Sequence, residues 1–291
     1  MVIYIKLLLT AVLFGGTFIA GRIAAQHVGP YSASFLRFAV ASFFLVLFAW
    51  LTTDKLPRLR KNRIISIILL GLTGVFAYNV FFFSGLKTIS ASRASLIIAV
   101  NPVFIALFAA AFFKEKLNLK NYVGILLCTS GAILVISKGN PLILLQGGVG
   151  SGELYILGCV ACWVAYSLIG KTTLQDISPL FAVTYSCIIG DLFLFFPACS
   201  EGMFRDLAGY SAIDWLSIFY LGFFGSVIGF TWFYEGIKKI GASRAGTFIN
   251  FVPIAAVILA YFILGEKPDW SLISGAVIVI SGAYLTNKDN V

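Results

Sequence analysis

The chain alternates between long apolar stretches and short polar linkers along its whole length. A helix needs about 20 apolar residues to cross a bilayer, and stretches near that length recur throughout. They fall at about 3–23, 31–51, 64–84, 92–113, 120–137, 152–170, 179–199, 213–234, 243–264 and 270–286. The linkers between them leave no room for a soluble domain. The pattern predicts an all-α integral membrane protein with ten transmembrane helices.

The second half of the chain repeats the residue pattern of the first half. Gly71 recurs as Gly222, which is 222 − 71 = 151 positions later, and many other residues obey the same shift. The shared elements include two Ala-Ser-Arg-Ala stretches (91–94 and 242–245), two prolines (Pro102 and Pro253) and two Glu-Lys pairs (115–116 and 266–267). Because each half holds an odd number of spans, the second half must enter the membrane upside down. The sequence therefore predicts two inverted five-helix repeats, residues 1–140 and 141–291.

Composition agrees with a membrane protein and adds an orientation. Hydrophobic residues make up 60% of the chain, charged residues 11%, and the mean hydropathy is +0.98; soluble domains carry about 25% charged residues. The net charge of +9 comes from Lys and Arg in the short linkers, above all in the linker at 55–63. This distribution does not point to nucleic acid. Since basic linkers stay in the cytoplasm, we expect both termini to be cytoplasmic.

Several motifs have a family likeness. The glycine-rich first helix (14–17), Arg37 in the second helix and the twice-used Gly-x-Lys-x-Ile-x-Ala-Ser-Arg-Ala stretch, followed by a mid-span proline and Glu-Lys, resemble the EamA-type branch of the drug/metabolite transporter superfamily. The resemblance implies ten helices in two inverted repeats around a central cavity, and export or import of small metabolites. It also implies a location in the bacterial inner membrane. It does not specify the cargo.

Pro102 and Pro253 lie at equivalent places in the fourth and ninth spans. Within a helix, proline removes a backbone hydrogen bond and clashes with the preceding turn, and freed carbonyls in a membrane need protein or water to satisfy them. Matched breaks of this kind indicate either hinges in the wall of a cavity or bends that serve packing alone. The neighbouring Asn101 and Asn250 favour a cavity, because an amide inside a membrane needs a partner.

The Ala-Ser-Arg-Ala stretches begin the fourth and ninth spans. Ser90 or Ser92 can cap the first of these helices, and Arg93 is expected to reach the lipid headgroups. The matching glutamates, Glu115 and Glu266, end the same two spans, where their simplest role is to cap or orient the next helix start.

Arg37 is the basic residue that calls for a specific explanation, since it lies within the second span. An arginine at the centre of a membrane helix costs about 2.5–3.5 kcal/mol on insertion scales. It can extend toward the interface, or it can pair with an acid at similar depth. Asp191 lies at such a depth and Glu153 starts a span on the same side, and the sharper hypothesis is an Arg37–Asp191 ion pair.

Further polar and aromatic side chains within the spans are candidates for substrate binding. They are Thr17, Tyr78, Asn79, Trp163, Tyr166, Thr184, Tyr185, Thr231, Trp232 and Tyr234. Trp163 and Tyr166 share one helix face and are the strongest aromatic candidates. Pro102 and Pro253 are the predicted hinges, and the predicted substrate site consists of Thr17, Arg37, Tyr78, Asn79, Asn101, Trp163, Tyr166, Thr184, Asp191, Trp232 and Asn250.

The remaining motifs argue against other classes of protein. The single histidine, His27, has no metal-ligand partners at suitable spacing, and the five cysteines fall within apolar runs. Neither a phosphate-binding loop nor a catalytic-serine motif is present in the sequence, so we expect no metal, no cofactor and no enzymatic activity. The prediction is a secondary carrier or exporter of small, amphipathic metabolites that works by alternating access as a monomer or homodimer. The alternatives are an intramembrane lipid-modifying enzyme and a non-transporting receptor or scaffold.

Overall fold

The computed structural model describes residues 2–53, 63–113, 118–140, 149–173, 177–240 and 248–287, and all regular secondary structure in these ranges is helical. Within these ranges, eight helical spans are long and apolar enough to cross a membrane, and two shorter apolar helices follow. The long spans are α1 (Val2–His27), α2 (Pro30–Thr53), α3 (Ile64–Leu86), α4 (Ala91–Ile98 with Asn101–Phe113), α5 (Leu119–Ile136), α6 (Ser151–Thr173), α7 (Pro179–Glu201) and α8 (Ala212–Phe219, Tyr220–Gly229 and Phe230–Ile240). The shorter helices are α9 (Val252–Leu264) and α10 (Trp270–Asn287). The predicted all-α membrane class is confirmed.

The outer surface of the bundle is apolar. Large side chains such as Phe43, Trp50, Phe112 and Phe262 are 65%, 65%, 71% and 78% exposed. A soluble protein rarely exposes contiguous apolar surface on this scale, whereas lipid tails accept it. The surface is therefore the one that a bilayer covers.

Polar residues at the helix ends fix where several spans begin. Ser178 accepts a hydrogen bond from the amide of Phe181 and starts α7. Reciprocal capping boxes join Asn118 to Asn121 at the start of α5 and Ser211 to Asp214 at the start of α8. Such caps satisfy amides that have no partner within the helix, and so they determine where these helices begin.

Two spans contain a wider, π-helical segment at equivalent places. The segment in α3 is Gly71–Ala77, and the segment in α8 is Tyr220–Gly229, which includes the positions reached from 71–77 by the 151-residue shift. Side chains satisfy carbonyls in both segments: Asn79 donates to Gly74 O at 3.2 Å and Val75 O at 2.8 Å, and Ser226 donates to Leu221 O at 3.1 Å. π-helical turns are rare and often mark functional sites.

The fourth and ninth spans are each interrupted by a turn. In α4 the turn lies at 99–100, and the equivalent turn before α9 lies at 250–251. Pro102 and Pro253 are each the second residue of the helix after the turn, where a proline costs no internal hydrogen bond. Each proline thus lies directly after an interruption of its span, where the sequence predicts a break.

Both breaks carry an asparagine with an unsatisfied atom. Among the described residues, neither Asn101 Oδ1 nor Asn250 Nδ2 has a hydrogen-bond partner, although both atoms are buried. Such groups are costly inside a membrane.

Helices α5 and α10 pack through glycines in a reciprocal arrangement. A Cβ added at Gly131 would lie 2.8 Å from Val279 N and 3.0 Å from Gly275 O, and one added at Gly282 would meet Cys128 N and Gly124 O. Each contact maps onto the other by the 151-residue shift. Residues later in α5 contact residues earlier in α10, so the two helices are antiparallel. Small residues permit this close approach.

A second pair of equivalent glycine contacts joins α3 to α7 and α8 to α2. A Cβ at Gly71 would lie 3.0 Å from Ser186 O, and a Cβ at Gly222 would lie 2.7 Å from Arg37 O. Gly71 and Gly222 are repeat equivalents, and so are Arg37 and Ser186, since 186 − 37 = 149, the same offset that relates Pro30 to Pro179. Each π-helical segment thus packs against the second span of the opposite half.

Candidate functional site: a central cavity around Arg37

A small cavity lies in the middle of the bundle, between the two halves of the chain. Its volume is about 40 Å³, and side chains from α2, α3, α6, α7 and α8 line it. The lining residues are Arg37, Phe38, Gly74, Val75, Tyr78, Asn79, Trp163, Tyr166, Val183, Ser186, Cys187, Ser226 and Phe230. Both π-helical segments contribute to the wall.

Arg37 is the charged residue of this lining. Its side chain enters from α2 and the residue is only 7% exposed. One terminal nitrogen donates to Asn79 Oδ1 at 2.9 Å, and Nε and the other terminal nitrogen donate to Ser226 Oγ at 3.4 Å each. Asn79 follows the π-helical segment of α3, and Ser226 lies within that of α8. Arg37 therefore joins the two halves through these segments.

The predicted ion pair between Arg37 and Asp191 is wrong for this conformation. No salt bridge links the two residues among those the structure describes, and Asp191 Oδ1 is buried without a hydrogen-bond partner. The other considered acid, Glu153, lies 3.4 Å from Arg93 instead. Arg37 reaches the cavity because Asn79 and Ser226 accept its hydrogen bonds, and Asp191 is not part of the lining.

Aromatic rings form one side of the cavity. Trp163 lies at the centre of this group, with ring centroids 5.5 Å from Tyr78, 5.4 Å from Tyr166 and 6.3 Å from Phe230. These spacings fall within the range at which aromatic pairs attract each other. The cavity therefore combines one cation with an apolar aromatic wall.

The structure brings some of the predicted site residues together. Five of them line the cavity: Arg37, Tyr78, Asn79, Trp163 and Tyr166. The predicted hinges and the two asparagines lie in α4 and around the break before α9, outside the lining.

Other candidates lie elsewhere in the bundle. The hydroxyls of Thr17, Thr184 and Thr231 donate to carbonyls of their own helices, at 2.6, 2.8 and 2.6 Å. The Trp232 ring lies 5.7 Å from the Lys6 ammonium, and Tyr185 packs in an apolar cluster with Ile67.

Eight of the lining residues were not among the predicted site residues: Phe38, Gly74, Val75, Val183, Ser186, Cys187, Ser226 and Phe230. Ser186 could have been found as the repeat equivalent of Arg37. Ser226 carries no such signal, because its role depends on the π-helical turn around it. Cys187 and Phe230 are apolar residues in apolar runs, and only packing shows that they face the cavity.

One face of the bundle is held closed by polar contacts, and we call it the capped face. At this face Glu201 accepts hydrogen bonds from Ser32 N and Ser32 Oγ, both at 2.7 Å, and Glu266 accepts from Ala91 N at 2.8 Å and Ser92 N at 3.0 Å. Each glutamate thus caps the start of a helix in the opposite half. Charged caps bind helix starts more strongly than neutral ones.

Two further contacts between the halves at the capped face each pair an acidic side chain with a basic one. His27 Nδ1 lies 3.1 Å from Asp214 Oδ1, and Arg93 lies 3.4 Å from Glu153. Both acids are buried. The capped face therefore connects the halves at several independent points.

These contacts revise the roles expected for the repeated motif. Ser90 caps α4 by accepting a hydrogen bond from Arg93 N at 3.3 Å, which agrees with the prediction. Glu266 caps α4 and not the next helix start, and Arg93 is buried against Glu153 and does not reach the headgroups. The equivalent stretch at 242–245 and Glu115 lie outside the described residues.

At the face opposite to the capped face, the described residues form one ion pair between the halves. Lys6 Nζ lies 2.7 Å from Glu235 Oε2, and both side chains are partly exposed. Ion pairs of this kind contribute little to stability.

A solved crystal structure shares this fold. It matches with a TM-score of 0.65 at 18% sequence identity, over 96% of this chain and 95% of that chain. At this identity the match shows the architecture alone.

Sequence comparison identifies the family. The EamA-like transporter family model matches residues 1–137 and again 150–288. The uncharacterized transporter YyaM of Bacillus subtilis is 32% identical over 281 residues, 96% of this chain and 92% of that protein. A probable terminal-alkyne amino-acid exporter of Streptantibioticus cattleyicolor is 28% identical over 284 residues, 97% and 92% of the two chains. These relatives are named as transporters and not as enzymes, and this multi-pass membrane protein belongs to the EamA-like transporter family.

Proposed function

We propose that the protein is a secondary carrier of small amphipathic metabolites and that it works by alternating access. Two inverted five-helix repeats, residues 1–140 and 141–291, rock against each other around the central cavity. The observation that carries this proposal is Arg37, a buried cation in a cavity lined by both halves, whose hydrogen bonds end on one residue of each half. A cavity at such a boundary can open to either face as the halves move.

Repeated contacts support the division into two halves. The family model matches the chain twice, and the glycine contacts of α5 with α10 are reciprocal under the repeat shift. The π-helical segments and the helix breaks also occur at equivalent places in both halves. In this scheme the breaks next to Pro102 and Pro253 serve as hinges, with Asn101 and Asn250 gaining partners when the halves move.

The size of the cavity fits a closed state of such a cycle. A volume of about 40 Å³ holds about three water molecules, whereas small-molecule sites measure about 300–1,000 Å³. A metabolite can enter only when the halves separate. Because Glu201 and Glu266 seal the capped face, the opposite face is the one that opens from this conformation.

The orientation follows from the basic linkers. Placing the linker at 55–63 in the cytoplasm puts both termini there and puts the capped face outside. The amino-acid exporter among the relatives favours efflux across a bacterial inner membrane.

Flux through the purified protein tests the proposal. Proteoliposomes are loaded with a bacterial small-molecule extract, and mass spectrometry follows which compounds leave them and which enter, against protein-free liposomes. We expect a small set of compounds to cross faster only when the protein is present, and to emerge chemically unchanged. Equal rates for all compounds in both preparations would contradict a carrier and support a scaffold, and new compounds would indicate an enzyme.

A further inference from the structure

We propose that the transported molecule is a small monocarboxylate with an apolar or aromatic body, and that its carboxylate binds the Arg37 guanidinium. The inference rests on the proposed carrier function and names the chemistry of its cargo. It starts from the charge balance of the cavity.

Arg37 has no anionic partner among the described residues. An arginine keeps its charge inside a protein, and a buried charge is costly unless an opposite charge or strong hydrogen bonds compensate it. Its acceptors, the amide of Asn79 and the hydroxyl of Ser226, are both neutral. The site therefore holds one uncompensated positive charge.

The acidic residues of the described chain are engaged elsewhere. Seven of them lie at helix ends or in linkers and contact other groups: Glu153, Glu201, Asp206, Asp214, Glu235, Glu266 and Asp269. Asp191, the remaining one, makes no ion pair and does not line the cavity. The structure thus offers no described carboxylate for Arg37, and the cargo can supply one.

The free donors of Arg37 match a carboxylate. A guanidinium carries five N–H groups, and three of them reach Asn79 or Ser226. The other two, one on each terminal nitrogen, have no acceptor within the ranges that the structure describes. Such N–H groups of a charged guanidinium donate strong hydrogen bonds to carboxylate oxygens.

The repeat limits the charge of the cargo. The equivalent of Arg37 in the second half is Ser186, which also lines the cavity. The cavity therefore has one cation. An exact repeat would have a second cation at position 186, but the residue there is a neutral serine. A monoanion balances this charge, whereas a phosphate dianion would leave one negative charge unpaired in a low dielectric.

The aromatic residues of the lining determine which kind of group the cargo carries besides its carboxylate. Tyr78, Trp163, Tyr166 and Phe230 present aromatic surface next to Arg37. Such rings favour flat apolar groups. The combination of one guanidinium and an aromatic wall fits an aryl or alkyl monocarboxylate.

Matched acids and amides test this inference. Thermal unfolding of the purified protein in lipid nanodiscs is measured with 3-phenylpropionate, benzoate and indole-3-acetate, and with the corresponding primary amides, at equal ionic strength. A ligand at ten times its Kd should raise the unfolding midpoint by about 3 °C by mass action. We expect at least one acid to give such a rise and its amide to give none.

Variants of arginine assign the effect to Arg37. Arg37→Gln should abolish the shift and Arg37→Lys should retain a smaller one, while Arg205→Gln, at an exposed arginine that pairs with Asp206, should respond like the wild type. The inference is overturned if no acid shifts the midpoint, if the amides act equally, or if Arg37→Gln still responds. Extract flux confined to neutral or cationic compounds would also overturn it and yet leave the carrier function standing.

Discussion

A single methyl group added at Gly282 is expected to lower the free energy of unfolding by about 2 kcal/mol. A Cβ at this position would collide with backbone atoms of α5, Cys128 N and Gly124 O, which cannot move aside as a flexible side chain can. Overpacking of a tight interface costs about 1–3 kcal/mol, and a collision with rigid backbone belongs at the upper end, about 3 kcal/mol. The better helix propensity of alanine returns about 1 kcal/mol of this cost. Denaturation of Gly282→Ala in detergent measures the loss.

Two further glycines give this prediction its controls. Gly131→Ala meets Val279 N at 2.8 Å in the reciprocal contact and should lose somewhat less stability than Gly282→Ala. Gly209→Ala has no atom within 4 Å of its new Cβ and should be unchanged. Equal stability of Gly282→Ala and Gly209→Ala would show that α5 and α10 are not packed as described.

Arg37→Gln is expected to reduce flux at least tenfold without unfolding the protein. The glutamine amide ends at about the position of the arginine Nε, so it can still donate to Ser226 but not to Asn79, and removal of a buried charge does not leave another charge unpaired. The cargo, however, loses hydrogen bonds to a charged group, which are worth about 1.5–3 kcal/mol, and each 1.4 kcal/mol corresponds to about a factor of ten. Initial rates of efflux from proteoliposomes, below saturation, measure this change.

The control for this variant is a second arginine outside the bundle. Arg205 has an 81% exposed side chain and pairs with its neighbour Asp206, so Arg205→Gln should transport at the wild-type rate. Flux that persists unchanged in Arg37→Gln would exclude Arg37 from the transport pathway.

The sequence predicts the membrane class and much of the helix order because these depend on local hydrophobicity. Apolar runs of sufficient length form helices in a bilayer wherever they occur, and Arg37 is conspicuous there because a membrane charge is costly. The observed helices α1 to α8 lie close to the predicted runs. The repeat was also visible, since Gly71 and Gly222 recur with their neighbours.

Other features depend on contacts between distant segments and have no local signature. The hydrogen bonds of Glu266 to Ala91 and Ser92 join residues separated by more than half the chain. The sequence places Glu266 at a helix end but cannot name the helix start that it caps. Depth along a helix suggested Asp191 as the partner of Arg37, but depth alone does not determine which groups a side chain reaches, and Arg37 donates to Asn79 and Ser226 instead.

The π-helical segments show a further limit of sequence analysis. Gly71–Ala77 and Tyr220–Gly229 have the same apolar composition as the helices around them. The wider turn exists because Asn79 and Ser226 satisfy its carbonyls and because each segment packs on a helix of the opposite half. Tertiary structure therefore decides which polar residues reach Arg37.

Access to Cys187 from the two sides of the membrane tests most directly whether the halves alternate around one cavity. Cys187 lines the cavity, whereas Cys128 lies fully buried between α4, α5 and α10. Two variants, each retaining one of these five cysteines, are exposed in oriented vesicles to a membrane-impermeant thiol reagent from either side. Alternating access around this cavity predicts that Cys187 reacts from both sides and Cys128 from neither. Reaction of Cys187 from one side only, or no faster than that of Cys128, would contradict it.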